Sequence, residues 1–220
     1  MTVLVTSLSD MQKLFSSIVL IFLTLFQTPS QADQSAPRIL ILGDSLSAAY
    51  NIPVEQSWPS LFTTNIRAHY AQASVYNASI SGETTHGGIQ RLPELLDRIE
   101  PSHLIIELAG NDGLRGLKFS QTRKNLNNMV SLALKQNIAV LLIGVDLPPN
   151  LGSAYNQRFQ QIFESVASRY PVKYLPHFLD GVAASDPGLM QTDGIHPTAL
   201  AQPILAERIL VNILDMLTSN

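Results

Sequence analysis

The chain is 220 residues long, carries 14 Lys and Arg against 17 Asp and Glu for a net charge of -3, and has no cysteine. That length suits one domain, the 45% hydrophobic share is enough for a sizeable core rather than a disordered chain, and the charge gives no reason to expect nucleic-acid binding. The missing cysteine excludes disulfides, thiolate zinc sites, iron–sulfur clusters, a cysteine nucleophile and a lipid-modified cysteine.

Lys13 precedes the apolar run Leu14–Phe26, which is shorter than the ~20 apolar residues that span a bilayer. A polar stretch follows, with small residues at Ser30 and Ala32. Positive residue, short apolar core and small-x-small exit form a secretory signal. Residues 1–32 are therefore expected to be a cleavable export signal and 33–220 the working domain, placed in the periplasm or secreted, with no stable membrane anchor. A buried helix or an uncleaved anchor is the competing reading. Met11 makes a more usual signal start than Met1.

Beyond residue 32, apolar runs alternate with amphipathic ones. Arg38–Leu42, Leu104–Leu108 and Ile138–Val145 are continuous apolar runs of the kind that form buried parallel strands. Ser74–Asn77 and Val172–Leu175 are weaker strand candidates. Between them lie helical stripes: Trp58, Leu61, Phe62 and Ile66; Ile89, Leu92, Leu95, Leu96 and Ile99; Leu126, Met129, Val130 and Ala133; and Tyr155, Phe159, Ile162, Phe163 and Val166. Leu200 to Leu217 reads as a closing helix whose start is blurred by Pro203. This alternation predicts an α/β fold of about five parallel strands with helices on both faces. Such folds bind ligands outside the carboxyl ends of the strands.

Small polar residues collect at those ends: Gly43-Asp44-Ser45, Asn77 to Thr84, Gly110-Asn111-Asp112-Gly113, and Asp193-Gly194-Ile195-His196-Pro197. A serine hydroxyl is a weak nucleophile until a base takes its proton. A turn leading from a strand into a helix exposes it and places it at a helix N-terminus, which favours negative charge. Taken alone, Gly-Asp-Ser reads more readily as a helix cap, and the G-x-S-x-G elbow is absent. Asp193 and His196, three apart, can set a carboxylate on one imidazole nitrogen and leave the other for Ser45; alone they also read as an Asp turn beside an exposed His. Gly82 and Asn111 offer a backbone N–H and a side-chain amide for an oxyanion, or else are turn residues. Together these four elements fill the separate roles of one acyl-transfer reaction.

The blocks GDSLS (43–47), NASISGET (77–84), AGNDGLRG (109–116) and DGIHP (193–197) resemble the SGNH (GDSL) hydrolases, in the family's order and across most of the chain. The finer resemblance is to the periplasmic bacterial thioesterase/lysophospholipase/protease and arylesterase subgroup. It implies a flavodoxin-like, three-layer α/β/α sandwich. It implies Ser45 as nucleophile, His196 as base and then acid, and Asp193 as its orienter. The N–H groups of Ser45 and Gly82 and the Asn111 amide would form the oxyanion hole. Two positions depart from the subgroup, Ala49 and Ala109, where it usually has Gly; Ala109 is expected to stiffen the Asn111 loop.

The reaction expected is hydrolysis of esters and thioesters, of the lysophospholipid, acyl-CoA or aryl ester type, through an acyl-serine. It needs no cofactor or metal, and the enzyme is expected to be a monomer. Leu114, Leu117, Leu147, Pro148 and Ile195 are the candidates to line an acyl groove, against the alternative that they only pack. Arg115 can meet a substrate phosphate or be solvated. His86 is the rival base, and His69, His103 and His177 are expected at the surface or at helix ends. Asp44, Asp112 and Glu83 are expected to fix turns, while Glu107, inside an apolar strand, needs a partner. A carbohydrate acetylesterase on the same scaffold and a non-catalytic lipid- or glycan-binding module are the rival functions.

Overall fold

The computed structural model describes residues 36–182 and 187–219; the segment read as an export signal lies outside them. Five parallel strands make one sheet: β1 (Arg38–Gly43), β2 (Ser74–Asn77), β3 (His103–Glu107), β4 (Ala139–Ile143) and β5 (Lys173–Leu175), in the spatial order β2-β1-β3-β4-β5. Ile39 to Leu42 and Leu104 to Ile106 are fully buried. A strand covered on both faces has no solvent side, which is why these runs are continuously apolar rather than alternating.

Helices α1 (Trp58–His69) and α6 (Gln202–Thr218) pack together as one covering layer. Helices α2 (Thr85–Ile99), α4 (Phe119–Lys135) and α5 (Ser153–Ala167) form the other. Trp58, Phe62, Phe159, Phe163 and Phe178 are the largest fully buried aromatics of the core. Pro203 falls in the first turn of α6, behind a short 3-10 turn at Ala199–Ala201; there its missing N–H costs no helical hydrogen bond. Among the described residues no helix is long and apolar enough to cross a membrane.

Two details differ from the sequence pattern. A short helix, α3 (Gly110–Leu114), begins directly after β3, where Gly-Asn-Asp-Gly reads as a turn. His103, expected near the surface, is buried at the start of β3 with Nδ1 bonded to Ser102 Oγ at 2.9 Å.

The order 2-1-3-4-5 places its topological switch point between β1 and β3, the crevice where doubly wound sheets bind ligands. The register pairs Gly43 with Glu107. The chain therefore leaves both strands side by side, carrying Asp44 and Ser45 from one and Gly110 and Asn111 from the other.

Candidate active site

Ser45 leaves β1 in a tight turn held by Leu46 N–H donating to Asp44 Oδ1 at 3.1 Å and Ser47 N–H to Asp44 O at 3.3 Å. No helix starts at Ser45: turns continue through Asn51, and α1 begins only at Trp58. The helix-dipole contribution expected from the sequence is therefore absent. Trp58 anchors the turn instead, its Nε1–H donating to Leu46 O at 3.1 Å while its N–H is capped by Gln202 at 2.9 Å.

Asp193 and His196 sit on a loop closed by Gln191 N–H donating to His196 O at 2.8 Å, with Gly194 at φ +68° making the bend. Asp193 Oδ1 accepts the N–H groups of Ile195 and His196 at 2.9 and 3.0 Å, and Oδ2 lies 2.7 Å from His196 Nδ1. Burial opposes its charge, but the hydrogen bonds from His196 and Ile195 outweigh that and hold the carboxyl below its ordinary range. An ionised carboxylate only accepts, so Nδ1 carries the proton and Nε2 accepts from Ser45 Oγ, 2.8 Å away. Serine, imidazole and carboxylate are thus in line. Tyr50 stacks on the imidazole with ring centroids 4.2 Å apart, and Gln191 Nε2 donates to Tyr50 O at 3.0 Å. Neither residue carried a signal in the sequence, because the contact between them joins positions 141 apart.

The loop bearing Gly82 is tied to the β1 exit. Ile80 N–H donates to Gly43 O at 3.1 Å and Asn77 Nδ2 to Ser47 O at 2.8 Å. A Cβ on Gly43 would come within 2.8 Å of both Ser47 and Ser79, so only glycine permits this approach. Gly82 itself adopts φ +79°. Behind it, Glu83 pairs with Arg91 at 2.8 Å, and Arg91 also donates to Ala78 O.

Asn111, in the first turn of α3, donates from Nδ2 to Asp44 Oδ2 at 3.1 Å. Arg115, one turn on, donates from Nη2 to Gly82 O at 2.9 Å and reaches Asn111 Oδ1 at 3.5 Å. It thereby bridges the segments that carry Gly82 and Asn111, a use the sequence did not suggest. Asp112 points inward: Oδ2 accepts Thr85 N–H at 2.9 Å and Oδ1 the Thr85 and Thr122 hydroxyls, locking α3 to the start of α2.

Beneath Ser45 lie two buried carboxyls. Glu107 Oε2 accepts from Ser47 Oγ at 2.7 Å and from Asp44 N–H at 3.4 Å, while Oε1 has no partner among the described residues. Burial, and then the neighbouring Asp44 charge, push Glu107 well above the ordinary carboxylate range. Asp44 is pushed up to about 6, first by burial and against the hydrogen bonds from Leu46 and Asn111.

The apolar candidates separate. Leu147, Pro148 and Ile195 line one cavity of about 270 Å3 beside the Asp193–His196 loop. Leu114 and Leu117 are exposed on the loop after Asn111 and do not line it. His86 is exposed on α2 and His69 ends α1, with no bond to Ser45.

Residues 41–202 match the GDSL-like Lipase/Acylhydrolase family. The chain belongs to this family. An arylesterase of Vibrio mimicus is 42% identical over 190 residues, covering 86% of this chain and 94% of that one. The thioesterase 1/protease 1/lysophospholipase L1 of Escherichia coli K12 is 41% identical over 173 residues, covering 79% and 81%. The crystal structure of the psychrotrophic esterase EstA from Pseudoalteromonas sp., inhibited by monoethylphosphonate, superposes with a TM-score of 0.78 at 36% identity, covering 83% of this chain and 99% of that one. This GDSL hydrolase is accordingly an enzyme, an esterase on the sandwich that the β2-β1-β3-β4-β5 order builds.

Proposed function

We propose that the enzyme hydrolyses carboxylic esters and thioesters of small amphiphilic molecules through an acyl-serine intermediate on Ser45. The observation that carries this reading is the in-line contact of Ser45 Oγ with His196 Nε2 at 2.8 Å and of His196 Nδ1 with Asp193 at 2.7 Å. His196 takes the Ser45 proton as Oγ attacks the carbonyl carbon, and the ionised Asp193 stabilises the imidazolium. The oxyanion is received by the N–H groups of Ser45 and Gly82 and the free hydrogen of Asn111 Nδ2. The tetrahedral intermediate collapses as His196 gives its proton to the leaving oxygen or sulfur. Water then attacks the acyl-serine, its proton passing to His196 and on to Ser45 Oγ as the acid departs. The water proton replaces the one lost with the leaving group, so Ser45 and His196 end as they began and the chain's own residues close the cycle.

The names of the two relatives, an arylesterase and a thioesterase 1/protease 1/lysophospholipase L1, support aryl ester, thioester and lysophospholipid substrates. The signal-like residues 1–32 support export and work outside the cytoplasm, where a lysophospholipid or other ester is a more accessible substrate than acyl-CoA. The decisive experiment is a chain-length series of aryl esters, with acyl-CoA and lysophospholipid alongside, on wild type and Ser45→Ala. Ser45→Ala is expected to lose several orders of magnitude in turnover and to lose labelling by a fluorophosphonate. Full turnover in that folded variant overturns the reading, and a preference for acetyl over longer esters makes it an acetylesterase instead.

A further inference from the structure

The cavity beside the catalytic loop has a lining of two chemical kinds. Gly194 and Ile195, which separate Asp193 from His196, belong to it, with Leu147, Pro148, Leu179 and Met190 as its apolar part. The rest of the lining is polar. His177 and Asp146 both contribute to it, with Nδ1 of the imidazole 2.7 Å from Asp146 Oδ1, and Asp180 adds a second carboxylate. Gln160 Nε2 donates to the same Asp146 oxygen at 2.9 Å and to Val145 O at 2.9 Å. Asp146 is therefore fixed from two sides, and it in turn fixes the imidazole.

This is the arrangement that orients His196, built a second time without a nucleophile. His177 holds a left-handed backbone at φ +50°, a conformation unusual for a non-glycine residue and commonest where surroundings enforce it. Its carbonyl accepts from Asp180 N–H at 2.9 Å and from Arg208 Nη1 at 3.2 Å, which supplies the enforcement. Its side chain is 56% exposed, and Nε2 has no hydrogen-bond partner among the described residues. An imidazole held through Nδ1 with Nε2 open presents a directed polar atom to whatever enters the cavity.

The sign of the surroundings narrows the ligand. Asp146 and Asp180 are opposed by Arg208, which lies 3.9 Å from Asp180 and spends Nη1 on the carbonyls of His177 and Phe178. A carboxylate or phosphate entering here meets two acids, whereas a hydroxyl or ammonium finds acceptors in Asp146 and in His177 Nε2. The volume of about 270 Å3 lies below the ~300–1,000 Å3 that encloses a whole drug-sized ligand, so the space suits one arm of an ester.

We propose that this cavity is a specificity subsite for one arm of the substrate, selecting esters whose apolar arm carries a hydroxyl or ammonium donor, recognised by His177 and Asp146. The inference rests on the reading of Ser45 as the nucleophile and gives that site a substrate class.

The test compares matched esters at pH 8 in two series. One varies the acyl arm as 4-nitrophenyl hexanoate, 6-hydroxyhexanoate, 6-aminohexanoate and the adipate monoester; the other varies the alcohol arm as the butanoates of butan-1-ol and butane-1,4-diol. In one of the two series the donor-bearing ester is expected to exceed its plain counterpart in kcat/KM by roughly tenfold, the worth of one good hydrogen bond, and on the acyl arm the carboxylate to fall below both. Asp146→Asn keeps the side-chain shape, and His177→Asn keeps a residue that tolerates positive φ; in both the ratio is expected to fall to about one. The ratio is taken within one variant, so partial unfolding lowers both rates and leaves it unmoved. No donor preference in either series, or a preference unchanged in both variants, overturns the subsite. Turnover that survives Ser45→Ala overturns the underlying reading instead, and the two failures are distinct.

Discussion

Asn111 donates one of its two amide hydrogens to Asp44, Nδ2 to Oδ2 at 3.1 Å, so that the residue adjoining Ser45 fixes the orientation of the amide. The two residues leave neighbouring strands at the switch point, and the register of β1 on β3 makes the contact possible. An oxyanion donor works only if its direction is set before charge develops. On this geometry Asp44 positions Asn111 and does not itself meet the reacting atoms.

Asp44→Asn is expected to lower kcat by roughly 10²-fold, the scale of losing an oxyanion donor, with KM little changed. The pH dependence adds a sign. Asp44 titrates at about 6 in the fold, against 3.8 for an ordinary aspartate. The folded state therefore binds the proton more tightly than the unfolded chain, and stability falls as pH rises from about 4 to about 6. Asp44→Asn removes that fall, so urea unfolding should show the variant gaining on wild type between pH 4 and pH 7. The acid limb of kcat/KM in wild type should carry a step near pH 6 from Asp44 that the variant lacks. A variant less stable at neutral pH, with an unchanged acid limb, refutes the arrangement.

Arg115→Ala should lower kcat about tenfold on a neutral ester while KM stays within about twofold, since the guanidinium holds Gly82 O and Asn111 Oδ1 rather than substrate. Arg115→Lys should recover part of the loss, because an ammonium reaches one acceptor but not both. Steady-state kinetics on a neutral aryl ester and on an acyl-CoA separate this from phosphate binding, which would raise KM for the acyl-CoA alone.

Much of this was legible in sequence, and the reasons are physical. Strands β1, β3 and β4 announce themselves because burial on both faces demands unbroken apolar runs. Ser45, Gly82, Asn111, Asp193 and His196 stand out because small polar residues at strand ends have no packing reason to be there. Arg115, Tyr50 and the Asp146–His177 pair could not be read, since each acquires its place from a loop distant in sequence. Glu107 was conspicuous, yet its partners Ser47 and Asp44 became visible only through the register that pairs Gly43 with Glu107.

Ala49 and Ala109, the two departures from the subgroup's glycines, both adopt positive φ, +57° and +91°. A left-handed alanine costs on the order of 1–2 kcal/mol. Ala49 is only half-buried, so Ala49→Gly should stabilise the protein by about 1 kcal/mol. Ala109 is fully buried, and losing its methyl forfeits about 0.8 kcal/mol of burial, so Ala109→Gly should come out near neutral. Urea midpoints of the two variants check the ordering; a larger gain for Ala109→Gly would show that its loop is more strained than the dihedral alone implies.

Glu107→Gln tests the second buried carboxyl. Glu107 is fully buried, and burial with the adjacent Asp44 charge raises its folded pKa well above 4.5. A raised carboxyl pKa means that the fold favours the protonated form, so its share of stability is greatest in acid and declines as pH rises from about 4.5 towards that folded value. Glutamine keeps the shape and an oxygen to accept from Ser47 Oγ but cannot ionise. The stability of Glu107→Gln relative to wild type should therefore improve steadily from pH 5 to pH 8. Because Glu107 stays protonated while Asp44 ionises, its replacement should leave the titration of Asp44 where it is. Urea unfolding at three pH values suffices, and a constant stability difference from pH 5 to pH 8 would falsify the raised pKa of Glu107.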